Sequence, residues 1–173
     1  MRTLTGLFIV TFGLGCNTEC ADLDRFNGRY EVFGAVRSHT PEDLGALRTD
    51  ALFYNGTREW DLVYAPSNDV MRLMLPEGEL TANYEEGASG CNTFHLDMPT
   101  ASWEVDVTEL TDKEPVISSH TVRFTADIVW TGAGFTGVYD VEDQWALSTG
   151  ESGSLSAEGT LSATRLDAGG EDG

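Results

Sequence analysis

The feature that most constrains this chain is a strict alternation of side-chain character through its C-terminal third. Val122, Phe124, Ala126, Ile128 and Trp130 share one parity, while Arg123, Thr125, Asp127, Val129 and Thr131 take the other. A period of two is the signature of a strand with one buried face. After Gly132-Ala133-Gly134, a second strand runs from Phe135 to about Leu147 with Tyr139, Val141, Trp145 and Leu147 in phase. The chain turns again at Gly150 to Gly153, and residues 154–166 alternate small apolar with polar side chains. Three such strands joined by short turns pair as an antiparallel meander rather than a Greek key.

The upstream sequence follows the same pattern. Phe26, Gly28, Tyr30, Val32, Gly34 and Val36 fall on one face of a strand over 26–37, with Arg29, Glu31, Phe33, Ala35 and Arg37 on the other. Asn55-Gly56 is a hairpin signal, and Trp60, Leu62 and Tyr64 alternate after it. Further strands are expected over Val70–Leu75 (stopping at Pro76), over Glu79–Tyr84, and as a pair at 92–98 and 102–110, with Trp103, Val105 and Val107 inward. One helix is expected near 41–48: Thr40 caps it, Pro41 takes its first position, and Glu42 and Asp43 oppose the dipole. The expected fold is therefore all-β, a single antiparallel up-and-down barrel over 26–166 with one short helix, a β-sandwich being the alternative. An acidic, Gly-rich tail, 167–173, follows it.

The N-terminus reads as an address. Met1-Arg2-Thr3 carries one positive charge, Leu4 to Leu14 carries none, and Gly15-Cys16 follows. The apolar run is too short to span ~30 Å of hydrocarbon as a helix, and it lies where a signal h-region belongs. Leu14-Gly15-Cys16 resembles the lipobox of bacterial lipoproteins. That resemblance implies a signal peptide over 1–15, diacylglycerol and acyl chains on Cys16, a tether over 16–25 and a lipid anchor in the bacterial cell envelope; each buried CH₂ adds ~0.8 kcal/mol to such anchoring. The three cysteines, Cys16, Cys20 and Cys91, make an odd count. Acylation of Cys16 leaves Cys20 and Cys91 to pair in an oxidising compartment, while a free Cys16 opens the competing pair Cys16–Cys20.

Charge narrows the partners. Ten Lys and Arg against 29 Asp and Glu give −19, a field that repels nucleic acid and bare anionic bilayers and suits a basic protein.

The segment Asp24 to Val32 (DRFNGRYEV) resembles the opening strand of lipocalins and related calycin barrels, with Tyr30 in place of the Trp of their Gly-x-Trp. In that family an Arg of the last strand packs across the aromatic at the closed end, and Arg165 is the matching residue. The resemblance implies a ligand cavity inside the barrel, without naming the ligand.

Motifs that carry chemistry are few. Gly132 to Gly137 spells GxGxxG but is left by a strand instead of a helix, so it is a hairpin and not a dinucleotide site. Gly87-Ala88-Ser89-Gly90 falls one residue short of a nucleophile elbow, and Asn55-Gly56-Thr57, a formal glycosylation sequon, reads as a turn. His39, His95 and His120 are far apart and read as strand or surface residues. Glu77 with Glu79, Glu85 with Glu86, and Asp140 with Glu142 and Asp143 could gather oxygens for Ca²⁺, but they also serve as solvated edges that prevent sheet pairing. Tyr30, Trp60, Trp103, Phe124, Trp130, Tyr139 and Trp145 lie on apolar phases, where they either fill a core or line a cavity. The expectation is a non-enzymatic lipoprotein without cofactor or metal. It binds a small apolar ligand in its barrel or, alternatively, is an interaction or structural module with a filled core.

Overall fold

A computed structural model describes residues 23–47, 49, 52–65, 70–76, 78–86, 92–108 and 115–166. Eight strands form one closed antiparallel barrel in sequence order: β1 (Gly28–Thr40), β2 (Gly56–Ala65), β3 (Val70–Leu75), β4 (Gly78–Glu86), β5 (Thr93–Asp106), β6 (Ile117–Trp130), β7 (Gly134–Leu147) and β8 (Ser152–Arg165). Closure comes from β1, which pairs with β2 along one edge and with β8 along the other. The sandwich alternative is thereby excluded.

The alternation seen in the sequence becomes the inside and outside of the barrel. Val122, Phe124, Ala126 and Ile128 are buried on β6, as are Tyr139, Val141 and Trp145 on β7. The turn between them is the hairpin at Thr131-Gly132-Ala133: Gly132 sits at φ +86, and the Thr131 amide donates to the Gly134 carbonyl at 2.8 Å. The GxGxxG letters therefore carry no nucleotide site.

Three local expectations are corrected. There is no helix over the described part of 41–48. β1 continues to Thr40, which pairs with Ser156, and the Asp43 carboxylate accepts the Gly45 amide at 2.9 Å while Gly45 takes φ +57. This side-chain turn competes with helical hydrogen bonding, as short polar side chains do, and Leu47 ends buried. Asn55-Gly56 does not join two strands directly, because Gly56 opens β2 at the end of a loop over 41–55. The expected pair at 92–98 and 102–110 is a single strand, β5, whose register with β6 shifts between Met98 and Ala101. Pro99 lies in that interval and has no N–H for the ladder, so the strand bulges without ending.

The barrel has two unlike ends. At the closed end, a 3₁₀ turn (Leu23–Phe26) precedes β1 and the Phe26 side chain is fully buried. The mouth lies opposite, where β1 ends, β2 and β6 begin, and the 41–55 loop crosses. Cys16, Cys20, Cys91 and the Gly87–Gly90 segment lie outside the described residues, as do the signal segment 1–15 and the tail 167–173.

Candidate functional site

The aromatic side chains of the interior form one continuous core from closed end to mouth, with Trp60 between Phe135 at 6.3 Å and Phe53 at 6.2 Å. Tyr30 and Trp130 belong to the closed end. Their rings meet edge-on at 5.9 Å, Phe135 lies 5.4 Å from Tyr30, and Phe26 packs on Trp130 at 5.4 Å and on Phe94 at 4.8 Å. Such pairs add ~0.5–1.5 kcal/mol beyond burial. The Tyr30 hydroxyl donates to the Phe26 carbonyl at 2.8 Å. Arg165, the register partner of Tyr30, donates to the carbonyls of Asn27 at 2.7 Å and Arg25 at 3.2 Å. Its guanidinium lies so near Gly28 that a Cβ there would come within 2.9 Å of Arg165 Nε. The Gly-x-Tyr of β1 thus makes room for the arginine that fastens the 3₁₀ turn.

The mouth holds the polar chemistry. On β6, Ser118 and His120 continue inward the parity of Val122 and Phe124, and Asp143 lies inward on β7 between Val141 and Trp145; these are the buried polar side chains among the described residues. A carboxylate only accepts, so His120 Nδ1–H donates to Asp143, at 2.9 Å to Oδ2 and 3.1 Å to Oδ1. His120 Nε2 then accepts from Ser118 Oγ at 2.8 Å. Tyr54, from the 41–55 loop, donates its hydroxyl to Asp143 Oδ2 at 3.0 Å. A buried carboxylate persists only when its charge is satisfied by donors, and here donors reach it from β6 and from the loop. Burial and the adjacent Asp143 charge push the Tyr54 phenol far above its ordinary range.

The loop fills what would otherwise be a chamber. Leu52, Phe53 and Tyr54 are at most 2 % exposed. Phe53 sits centrally, 5.3 Å from Phe124, 5.6 Å from Trp103 and 6.2 Å from Trp60. Tyr54 lies 5.7 Å from Tyr139. Trp103 also faces the His120 ring at 4.9 Å. Trp145 sits at the rim against Gly153, where an added Cβ would come within 2.8 Å of the indole. Trp60 Nε1, Trp103 Nε1 and the Tyr139 hydroxyl are buried without a hydrogen-bond partner, and burial pushes the Tyr139 phenol up to about 12. Each unpaired buried donor forfeits ~1–3 kcal/mol of hydration that nothing returns.

Serine, histidine and aspartate in this order have the connectivity of an activated nucleophile. With the loop seated, Ser118 is 2 % exposed, out of reach of an acyl group. The other titratable candidates stay apart. Half-exposed His95 pairs with Asp127 at 2.8 Å on the outer wall, and His39 Nδ1 lies 2.8 Å from the Pro41 carbonyl oxygen. Asp140 and Glu142 face outward while Asp143 faces inward, which splits that candidate Ca²⁺ cluster. Among the described residues no three such groups converge for a metal.

The loop contribution and the polar chain were missed in the sequence for different reasons. Ser118, His120 and Asp143 are legible by parity, Ser118 and His120 being four and two residues before Val122 and Asp143 midway between Val141 and Trp145. Leu52-Phe53-Tyr54 follows no period, so nothing local marks it as interior. Compared with family models, curated proteins and solved structures, the chain matches none of them.

Proposed function

We propose that this chain is a lipid-anchored envelope protein whose barrel mouth binds a small, flat, largely apolar ligand, a site its own Phe53 and Tyr54 occupy in the resting state. The observation that carries this reading is the set of unpaired donors on Trp60, Trp103 and Tyr139 around those two rings. A core selected for packing alone has no use for three orphaned donors. A planar compound bearing acceptor oxygens would satisfy them, and a hydroxyl on it would replace the Tyr54 phenol at Asp143. Displacing the loop reduces the apparent affinity by the fraction of open molecules. The anchor is supported by the Leu14-Gly15-Cys16 pattern alone.

The experiment is native mass spectrometry of the full chain extracted in mild detergent from its host. The expected mass is the acylated protein plus a small aromatic compound that Asp143→Asn fails to retain. An acylated mass with no adduct, in wild type and in a Tyr54→Ala variant alike, overturns the ligand reading. Loss of acyl mass in Cys16→Ser tests the anchor separately.

A second reading, an interaction module with a filled core, is favoured by one observation. Concave regions open on the outer wall of β6, β7 and β8, and another at the rim is bounded by the seated 41–46 segment and Trp145.

A further inference from the structure

The outer wall of the barrel carries a feature independent of whatever the mouth binds. Strand register lays Val129, Thr136, Ser162 and Phe33 side by side across β6, β7, β8 and β1. The adjacent row, toward the mouth, is Asp127, Val138, Thr160 and Ala35. All eight belong to the outward parity of their strands, and Phe33, Val138 and Val129 are 52 %, 49 % and 48 % exposed. The one charge among them, Asp127, is engaged by His95 at 2.8 Å. On a chain of net charge −19, two adjacent rows four strands wide that hold a single carboxylate are an interruption that a solvated wall does not require. The surface is also concave there, with a depression of about 590 Å³ lined by Phe33, Val129, Val138 and Thr160 and, among charged groups, by Asp127 and Arg37.

The surroundings define the partner. Toward the mouth the next outward row brings Asp140 and Glu158 into register; toward the closed end stands exposed Glu31, one outward position from Phe33. An apolar centre whose edge carries three acids, Asp140, Glu158 and Glu31, against one base, Arg37, is complementary to an apolar side chain flanked by Lys or Arg. A second copy of this chain would bring acidic rim against acidic rim, and an anionic lipid surface would meet the same repulsion. Within this face β6, β7, β8 and β1 are paired to one another, so docking here proceeds through side chains. We infer that the outer face of β6, β7, β8 and β1 is a docking site for a protein segment with an apolar centre and a basic rim.

The test places a photo-crosslinking benzoylphenylalanine, one site at a time, at Thr136 and Ser162 in the strip and at Thr81 on the outward parity of β4, using the full chain in its native host. The expected result is a crosslink from Thr136 and Ser162, and none from Thr81, to a polypeptide whose crosslinked segment, once sequenced, carries an apolar side chain flanked by Lys or Arg. Val138→Lys, exposed and so compatible with folding, should cut that yield about tenfold, a loss of ~1.4 kcal/mol, with the unfolding midpoint unchanged. Lysine is chosen because a basic rim would welcome an aspartate there. A crosslink from Thr81 alone, to phospholipid, to a second copy of this chain or to a segment without basic residues overturns the inference. So does the absence of any crosslink. None of these outcomes bears on the mouth site, which keeps its own test.

Discussion

The Tyr54 hydroxyl and the Asp143 carboxylate, 89 residues apart in sequence, meet at 3.0 Å inside the barrel. That bond ties a non-repetitive loop to β7, two strands round the barrel from the β1 end it leaves, and it supplies a donor that the buried charge needs. Tyr54→Phe keeps the ring and removes the donor. The expected cost is ~1–3 kcal/mol, the range for a buried group left short of a partner, measured as a lower midpoint in urea. A midpoint equal to wild type would show that Asp143 does not depend on the loop.

Gly34 makes the seated loop sterically possible. A Cβ there would lie 2.1 Å from the Tyr54 carbonyl oxygen, so either the loop or β1 has to move. Gly34→Ala is expected to speed amide hydrogen exchange across 52–55 far more than in β6 and β7. Uniform acceleration in all strands would mean that the barrel, rather than the loop, absorbs the strain.

Alkaline pH should destabilise the fold through its buried phenols. Burial raises the native values of Tyr54 and Tyr139 above the ordinary phenol value near 10, so near that pH the unfolded chain ionises while the native chain stays neutral. Their contribution is complete below about pH 10 and declines as pH rises, by at most ~1.4 kcal/mol per pH unit for each phenol. Absorbance at 295 nm should therefore show at least two of the five tyrosines titrating only together with unfolding. Smooth titration of all five in the folded protein would contradict this.

At the closed end, Arg165 bridges two backbone carbonyls that a shorter or single-point cation cannot span together. Arg165→Ala should lower the thermal midpoint and weaken the near-ultraviolet dichroism of Tyr30 and Trp130. Arg165→Lys should recover less than half of the loss. Full recovery by lysine would reduce the arginine to a point charge.

How much of this was legible in the sequence follows from how far each determinant reaches. The strands of the C-terminal half announced themselves because each inward residue is reported by its neighbour two positions away. Phe124, Trp130, Tyr139 and Trp145 stand on the inward faces that this parity assigns them. Barrel and sandwich share that parity, and the β1–β8 pairing that separates them joins the two ends of the domain, so the choice needed the structure. At Thr40-Pro41 the capping letters were present, yet pairing with β8 carried β1 through them and the Asp43 turn took the following amide. Parity also placed Ser118, His120 and Asp143 inward. Residue type alone does not separate Ser118, His120 and Asp143, buried among the described residues, from the other histidines and acids; their phase does.

The most direct test of the occupied mouth is to empty it and offer a replacement. Tyr54→Ala leaves the volume of the ring, and p-cresol has the shape and hydroxyl of the lost side chain. Unfolding midpoints and tryptophan fluorescence would be followed in titrations with p-cresol and with toluene, which lacks the hydroxyl. If the chamber is a ligand site built around Asp143, p-cresol should raise the variant's midpoint as a native-state ligand does and bind about tenfold tighter than toluene, with the preference lost in Asp143→Asn. It should bind wild type more weakly, because there the loop must first withdraw. Equal affinity for the two compounds, or no stabilisation by either, would contradict a site at Asp143 and leave Phe53 and Tyr54 as core.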